Sequence, residues 1–175
     1  MENFLTINEN IESEITVKKS KFICNLIKIE TQEEAEEQIK KIKKKYHDAR
    51  HNCVAYRVQE NDTIVEKASD DGEPSGTAGG PMLNILQKNN LCNVLVVVTR
   101  YFGGIKLGAG GLTRAYSQAV ADALKEANIV EKHLIDVSCR AVCRHGIRHA
   151  VFRQISKAES ISHTGVWLSA KKVCQ

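Results

Sequence analysis

The sequence lacks three things that would place it at once: a long hydrophobic run, a paired-cysteine motif and a standard nucleotide-binding fingerprint. Its longest aliphatic run, Val94 to Val98, is far short of the ~20 residues a membrane helix needs. Met1-Glu2-Asn3-Phe4 has neither the basic flank nor the apolar stretch of a secretion signal, so a cytoplasmic protein with no membrane partner is expected. The six cysteines (24, 53, 92, 139, 143 and 174) form no CxxC pair and are expected to be reduced, mostly buried thiols. Cys139 and Cys143 with His145 and His149 have loose metal-ligand spacing. Arg140, Arg144 and Arg148 interleave with them and would repel a cation, so no metal is expected. A P-loop needs GxxxxGK[ST], and neither Gly-Lys-Ser nor Gly-Lys-Thr occurs. Gly108-x-Gly110 is followed by Gly111-Leu112-Thr113, which also misses GxGxxG. No cofactor is therefore expected.

What is present is concentrated. Nine of the eleven glycines fall between Gly72 and Gly111, in two runs that flank the most apolar segment of the chain. Glycine lets a second backbone or a ligand come close, so two such runs in one segment look like a built surface. At 175 residues, 42% hydrophobic and 26% charged, the chain can bury a real core. The net charge of +4 is uneven. Residues 1–128 carry 17 Lys and Arg against 18 Asp and Glu, whereas residues 129–175 carry 8 against 3. Any basic patch on the main body must then come from local clustering.

Ile15 and Val17 alternate with polar residues, and Phe22 to Ile29 is rich in strand formers, so two strands are predicted between Ser13 and Ile29. Thr31-Gln32-Glu33-Glu34 reads as a capping box. The helix after it places Ala35, Ile39, Ile42 and Tyr46 on one face. A third strand covers His51–Val58, Pro81 opens a short helix, and Cys92–Thr99 reads as a strand buried on both faces. A helix from about Leu112 to Ala127 follows, with Leu112, Ala115, Tyr116, Ala119, Val120, Ala123 and Leu124 on its apolar stripe. The order ββαβ-loop-αβ-loop-α predicts an α+β domain over 1–128 in two layers, with helices on one face of a sheet. Residues 129–175 read as a partial ferredoxin-like unit: a strand at 134–139, a helix at 146–157 and a strand at 161–168, too few residues to close that domain.

Three clusters carry candidate chemistry. In the second glycine run, a strand ending at Arg100-Tyr101-Phe102 turns through Gly103 and Gly104 and enters a helix near Gly110 and Gly111. Such a helix start suits an anion. Arg100, Lys106 and Arg114 are candidate phosphate contacts there, and Tyr101 and Phe102 candidate base-stacking rings. Core packing of the two aromatics stays open beside that reading. In the first run, Asp70, Asp71, Glu73, Ser75 and Thr77 could ligate a divalent ion, but turn chemistry or salt bridges to Arg100 or Arg114 explain them better. These residues are read as loop support. Cys53 beside His51 raises a nucleophile–base pair, with no third orienting group in view.

His51-Asn52-Cys53-Val54-Ala55-Tyr56-Arg57, the segment Asp70 to Pro81 and the segment Val96 to Tyr116 together closely resemble the IMPACT/YigZ family, over roughly residues 1–128. The resemblance implies a fold similar to domain IV of elongation factor G and to a fold found in ribosomal proteins, usually followed in bacterial members by a ferredoxin-like domain. It also implies regulation of translation. The eukaryotic relatives act on a stress kinase through a protein partner, and the bacterial ones are linked to nucleic acid or the ribosome. No catalytic residue comes with it. The expected function is a binding protein for RNA, the ribosome or translation factors. The alternatives are a protein-interaction regulator and a hydrolase using Cys53 and His51.

Overall fold

The computed structural model describes residues 4–60, 63–143 and 146–157, with side chains as far as Lys132. Its strands are β1 (Phe4–Ile7), β2 (Ile11–Val17), β3 (Ser20–Lys28), β4 (His51–Glu60), β5 (Thr63–Ser69), β6 (Val94–Tyr101), β7 (Ile129–Cys143) and β8 (Gly146–Lys157). Its helices are α1 (Gln32–Lys45), α2 (Gly79–Lys88) and α3 (Ala109–Glu126). Five strands form one antiparallel sheet in the order β2-β3-β6-β4-β5, and three form another, β1-β7-β8.

The central strand decides the layering. Along β6, Val94, Val96 and Val98 join one buried cluster, while Leu95 and Val97 join another. Successive side chains on a strand point to opposite faces, so a strand apolar at every position needs cover on both sides. α1 supplies one cover with Ala35, Ile39 and Ile42. α2 and α3 supply the other with Met82, Leu86, Tyr116, Ala119 and Val120. The two-layer expectation is corrected here, since the helices lie on both faces of the five-stranded sheet.

Local rules explain most of the elements. The Thr31 hydroxyl accepts from the Glu34 N–H at 3.1 Å, and the Glu34 carboxylate reaches back to the Glu30 N–H at 2.8 Å. α3 runs from Ala109 and buries all seven stripe residues. β2 and β3 are joined by Lys18 and Lys19, both at positive φ (45° and 65°). That pair of dihedrals makes the type I′ turn whose twist suits a hairpin.

A second correction falls at 146–157. The predicted helix is strand β8, paired antiparallel with β7 from Lys132↔Lys157 to Cys143↔Gly146. Ile147, Val151 and Ile155 are four apart, a spacing that shares one face in a helix and in a strand alike. The β-branched residues and the adjacent strand settle it as strand. The predicted strand at 161–168 lies outside the described residues, as do the side chains of Cys139, Cys143, His145 and His149.

Candidate nucleic-acid interface

The two glycine runs meet at one end of the five-stranded sheet and are built differently. The first, between β5 and α2, is held by its acids. Asp70 accepts from the N–H groups of Gly76 (2.8 Å), Ala78 (2.9 Å) and Gly79 (2.8 Å), and so caps α2 from eight residues upstream. Burial alone would raise the Asp70 pKa, but these three donors hold its carboxyl below the ordinary value. Asp71 accepts from the Asn52 N–H and pairs with Lys43 at 2.6 Å. Glu73 is buried, accepts from the Tyr116 hydroxyl at 2.9 Å and pairs with Arg100 at 2.6 Å. The Thr77 hydroxyl donates to the Pro74 carbonyl, and Ser75 is exposed. Gly79 is required because a Cβ there would sit 2.6 Å from the Ser69 backbone nitrogen. With their oxygens committed to these donors, the acids act as ties between α1, β4, β6 and α3.

Arg100 is drawn into the same network. Its side chain is 8% exposed, and its guanidinium carbon lies 5.7 Å from the Phe22 ring centroid and 5.6 Å from that of Phe102. The Tyr101 hydroxyl donates to Asp48 at 2.8 Å, which pushes its pKa up to about 12. Phe102 itself is 56% exposed.

Cys53 is fully buried; its thiol donates to the Asp70 carbonyl at 3.0 Å, and its sulfur lies 3.3 Å from the Tyr116 hydroxyl oxygen. Burial pushes the thiol pKa up to about 12. The His51 Nδ1 is instead bonded to the Asp71 carbonyl, to which it donates at 3.0 Å. A neutral buried thiol with no base hydrogen-bonded to it among the described residues is not an activated nucleophile. The hydrolase reading is therefore not supported by the geometry.

The second run, residues 102–111, is open. Gly103 is the exception, because a Cβ on it would collide with the Lys19 carbonyl and glycine alone lets this loop pack on the β2–β3 turn. From there Gly104 and Lys106 are exposed, and α3 begins after Gly108 with no side-chain cap. Its first turn holds Gly110 and Gly111 and contains no acidic residue. The N-terminal N–H groups of α3 thus lie at the surface near Lys106 and Arg114 in the chain, with no carboxylate bonded to them among the described residues. A cavity of about 270 Å³ opens here, lined by Val17, Lys18, Leu107, Gly111, Arg114 and Gln118. Lys18, Lys19, Lys106 and Arg114 are all exposed, and none has an ion-pair partner among the described residues. Lys18 and Lys19 escape sequence reasoning because Val-Lys-Lys-Ser carries no Gly or Asn to mark a type I′ turn. Their pairing opposite Gly103 is visible only in the fold.

Residues 18–124 match the Impact N-terminal domain. The chain belongs to the IMPACT family. It is 53% identical over 137 residues to the IMPACT family member YvyE of Bacillus subtilis, covering 78% of this chain and 63% of that protein. It is also 41% identical over 117 residues to YigZ of Escherichia coli, covering 66% of this chain and 57% of that one. The matched stretches thus span less than two thirds of either relative. A crystal structure of a hypothetical protein, 37% identical, superposes with a TM-score of 0.73 over 78% of this chain and 66% of its own. The sequence runs that carry the resemblance lie on β4, the first glycine run, and β6 with the second. Among the described residues no helix is long and apolar enough to cross a membrane.

Proposed function

We propose that this IMPACT-family chain is a nucleic-acid-binding module that acts on RNA or the translation machinery through the face formed by the second glycine run and the β2–β3 turn. The carrying observation is the set of four exposed cations, Lys18, Lys19, Lys106 and Arg114, without ion-pair partners among the described residues, around the uncapped start of α3. Phosphate contacts position a protein on nucleic acid, and exposed lysines and arginines beside backbone N–H groups are the donors they use. Membership of the IMPACT family, which implies a fold similar to domain IV of elongation factor G, supports the translation assignment. So do the sequence runs the chain shares with the IMPACT/YigZ relatives.

Binding of a fluorescent single-stranded RNA, measured over a salt series, tests this. Four phosphate contacts on a single strand give a slope of log K against log salt of about −3. Binding that ignores salt, or no binding to single strands, tRNA or rRNA, contradicts the reading.

A protein partner is the second reading, favoured by Phe102 and Ile105, which are 56% and 43% exposed on the same loop. Recovery of one partner after nuclease treatment, abolished by Phe102→Ala with Ile105→Ala, supports that reading. Loss of all recovered protein on nuclease treatment supports RNA.

A further inference from the structure

A second cavity, of about 360 Å³, is lined by Asp48, Arg50, His51, Arg100, Tyr101 and Phe102, and by none of the four cations above. Several of its features are left unexplained by the fold. Glu73 takes only Nη1 of Arg100, and the buried Nε has no partner among the described residues. A guanidinium has five donors in a fixed fork, and its Nε–Nη2 edge is one of the two that can grip a phosphate or carboxylate with two parallel bonds. A buried donor left without a partner calls for an explanation. Arg50, at the same cavity, is exposed and has no partner among the described residues.

The acids nearby are already engaged: Glu73 by Arg100 and Tyr116, Asp48 by Tyr101, and Asp71 by Asn52 and Lys43. Phe102 offers an exposed ring at the rim, its centroid 5.6 Å from the Arg100 guanidinium carbon. Two arginines with an exposed aromatic ring are the elements that hold a phosphate and its base.

We propose that this cavity binds a nucleoside 5′-monophosphate group, with its phosphate between Arg50 and Arg100 and its base against Phe102. The group comes either from a free mononucleotide or from the 5′ end of an RNA strand. Only the second source rests on the nucleic-acid reading above.

The full chain is titrated with AMP, GMP and adenosine, and with one single-stranded RNA hexamer carrying either a 5′-phosphate or a 5′-hydroxyl. At least one monophosphate, or the phosphorylated hexamer, is expected to bind about tenfold more tightly than its phosphate-free counterpart. Arg50→Ala is expected to erase that preference, and Phe102→Ala to weaken it several-fold. Both residues are exposed, so both variants are expected to fold. A preference seen only in the hexamer identifies an RNA end. A preference seen with AMP or GMP, with no binding of either hexamer, keeps the cavity and sinks the nucleic-acid reading. Equal affinity with and without the phosphate in both series overturns the proposal, and so does a preference that survives Arg50→Ala.

Discussion

The two glycine runs look alike in sequence and behave as opposites in the fold. In the first, every acid is answered: Asp70 by three backbone N–H groups, Asp71 by Asn52 and Lys43, Glu73 by Arg100 and Tyr116. In the second, Lys106 and Arg114 are exposed without partners among the described residues, and the helix start has no cap. Glycine supplies the tight turns in both. What separates them is whether the polar groups beside the glycines are spent inside the protein. A run whose charges are spent holds the fold, and one whose charges are free can hold a ligand.

The comparison can be broken from its structural side first. Glu73→Ala strands the buried Arg100 charge, and losing one member of a buried pair costs about 3–5 kcal/mol. A fall in Tm of roughly 10 °C or more is expected by calorimetry; a change of a degree or two would mean that the first run is not a structural tie. Asp70→Ala removes the acceptor of three backbone N–H groups and with it the capping of α2, with an expected cost of about 2–3 kcal/mol in urea unfolding.

Asp70 also gives a pH signature. Its folded pKa lies below the ordinary value of 3.8, so its contribution is fully present above that value and is lost as pH falls through the folded one. Wild type is therefore expected to lose stability more steeply below about pH 4 than Asp70→Asn. Parallel acid-unfolding curves would contradict this. The smallest effect belongs to the second run: Lys106→Ala and Arg114→Ala sit on exposed positions and are each expected to shift stability by less than about 0.5 kcal/mol.

Much of this contrast was legible in the sequence, and the misses share a cause. The α1 capping box, the α3 stripe and the double burial of β6 follow from spacing alone, because each is a local pattern. Taken seriously, the unbroken apolar run of β6 already demanded helices on both faces. β5 was not seen because Thr63 to Ser69 is an edge strand with mostly exposed residues and no apolar alternation. β1 is only four residues long and is defined by its pairing with β7. The helix expected at 146–157 fails because a four-residue apolar spacing fits both periods. At the site, the acids of the first run were readable as supports, and Glu73 does pair with Arg100. The burial of Arg100, and the company Lys18 and Lys19 keep with Gly103, depend on which strands lie side by side. No local pattern carries that.

The claim that the first run builds and the second run binds is tested most directly by one pair of curves on the double variant Lys106→Ala/Arg114→Ala: thermal melting, and single-stranded RNA affinity across a salt series. An unchanged Tm is expected, with a salt slope shallower than wild type by about 1.4, which is two phosphate contacts. An unchanged slope, or a binding loss that appears only together with a drop in Tm, would contradict it.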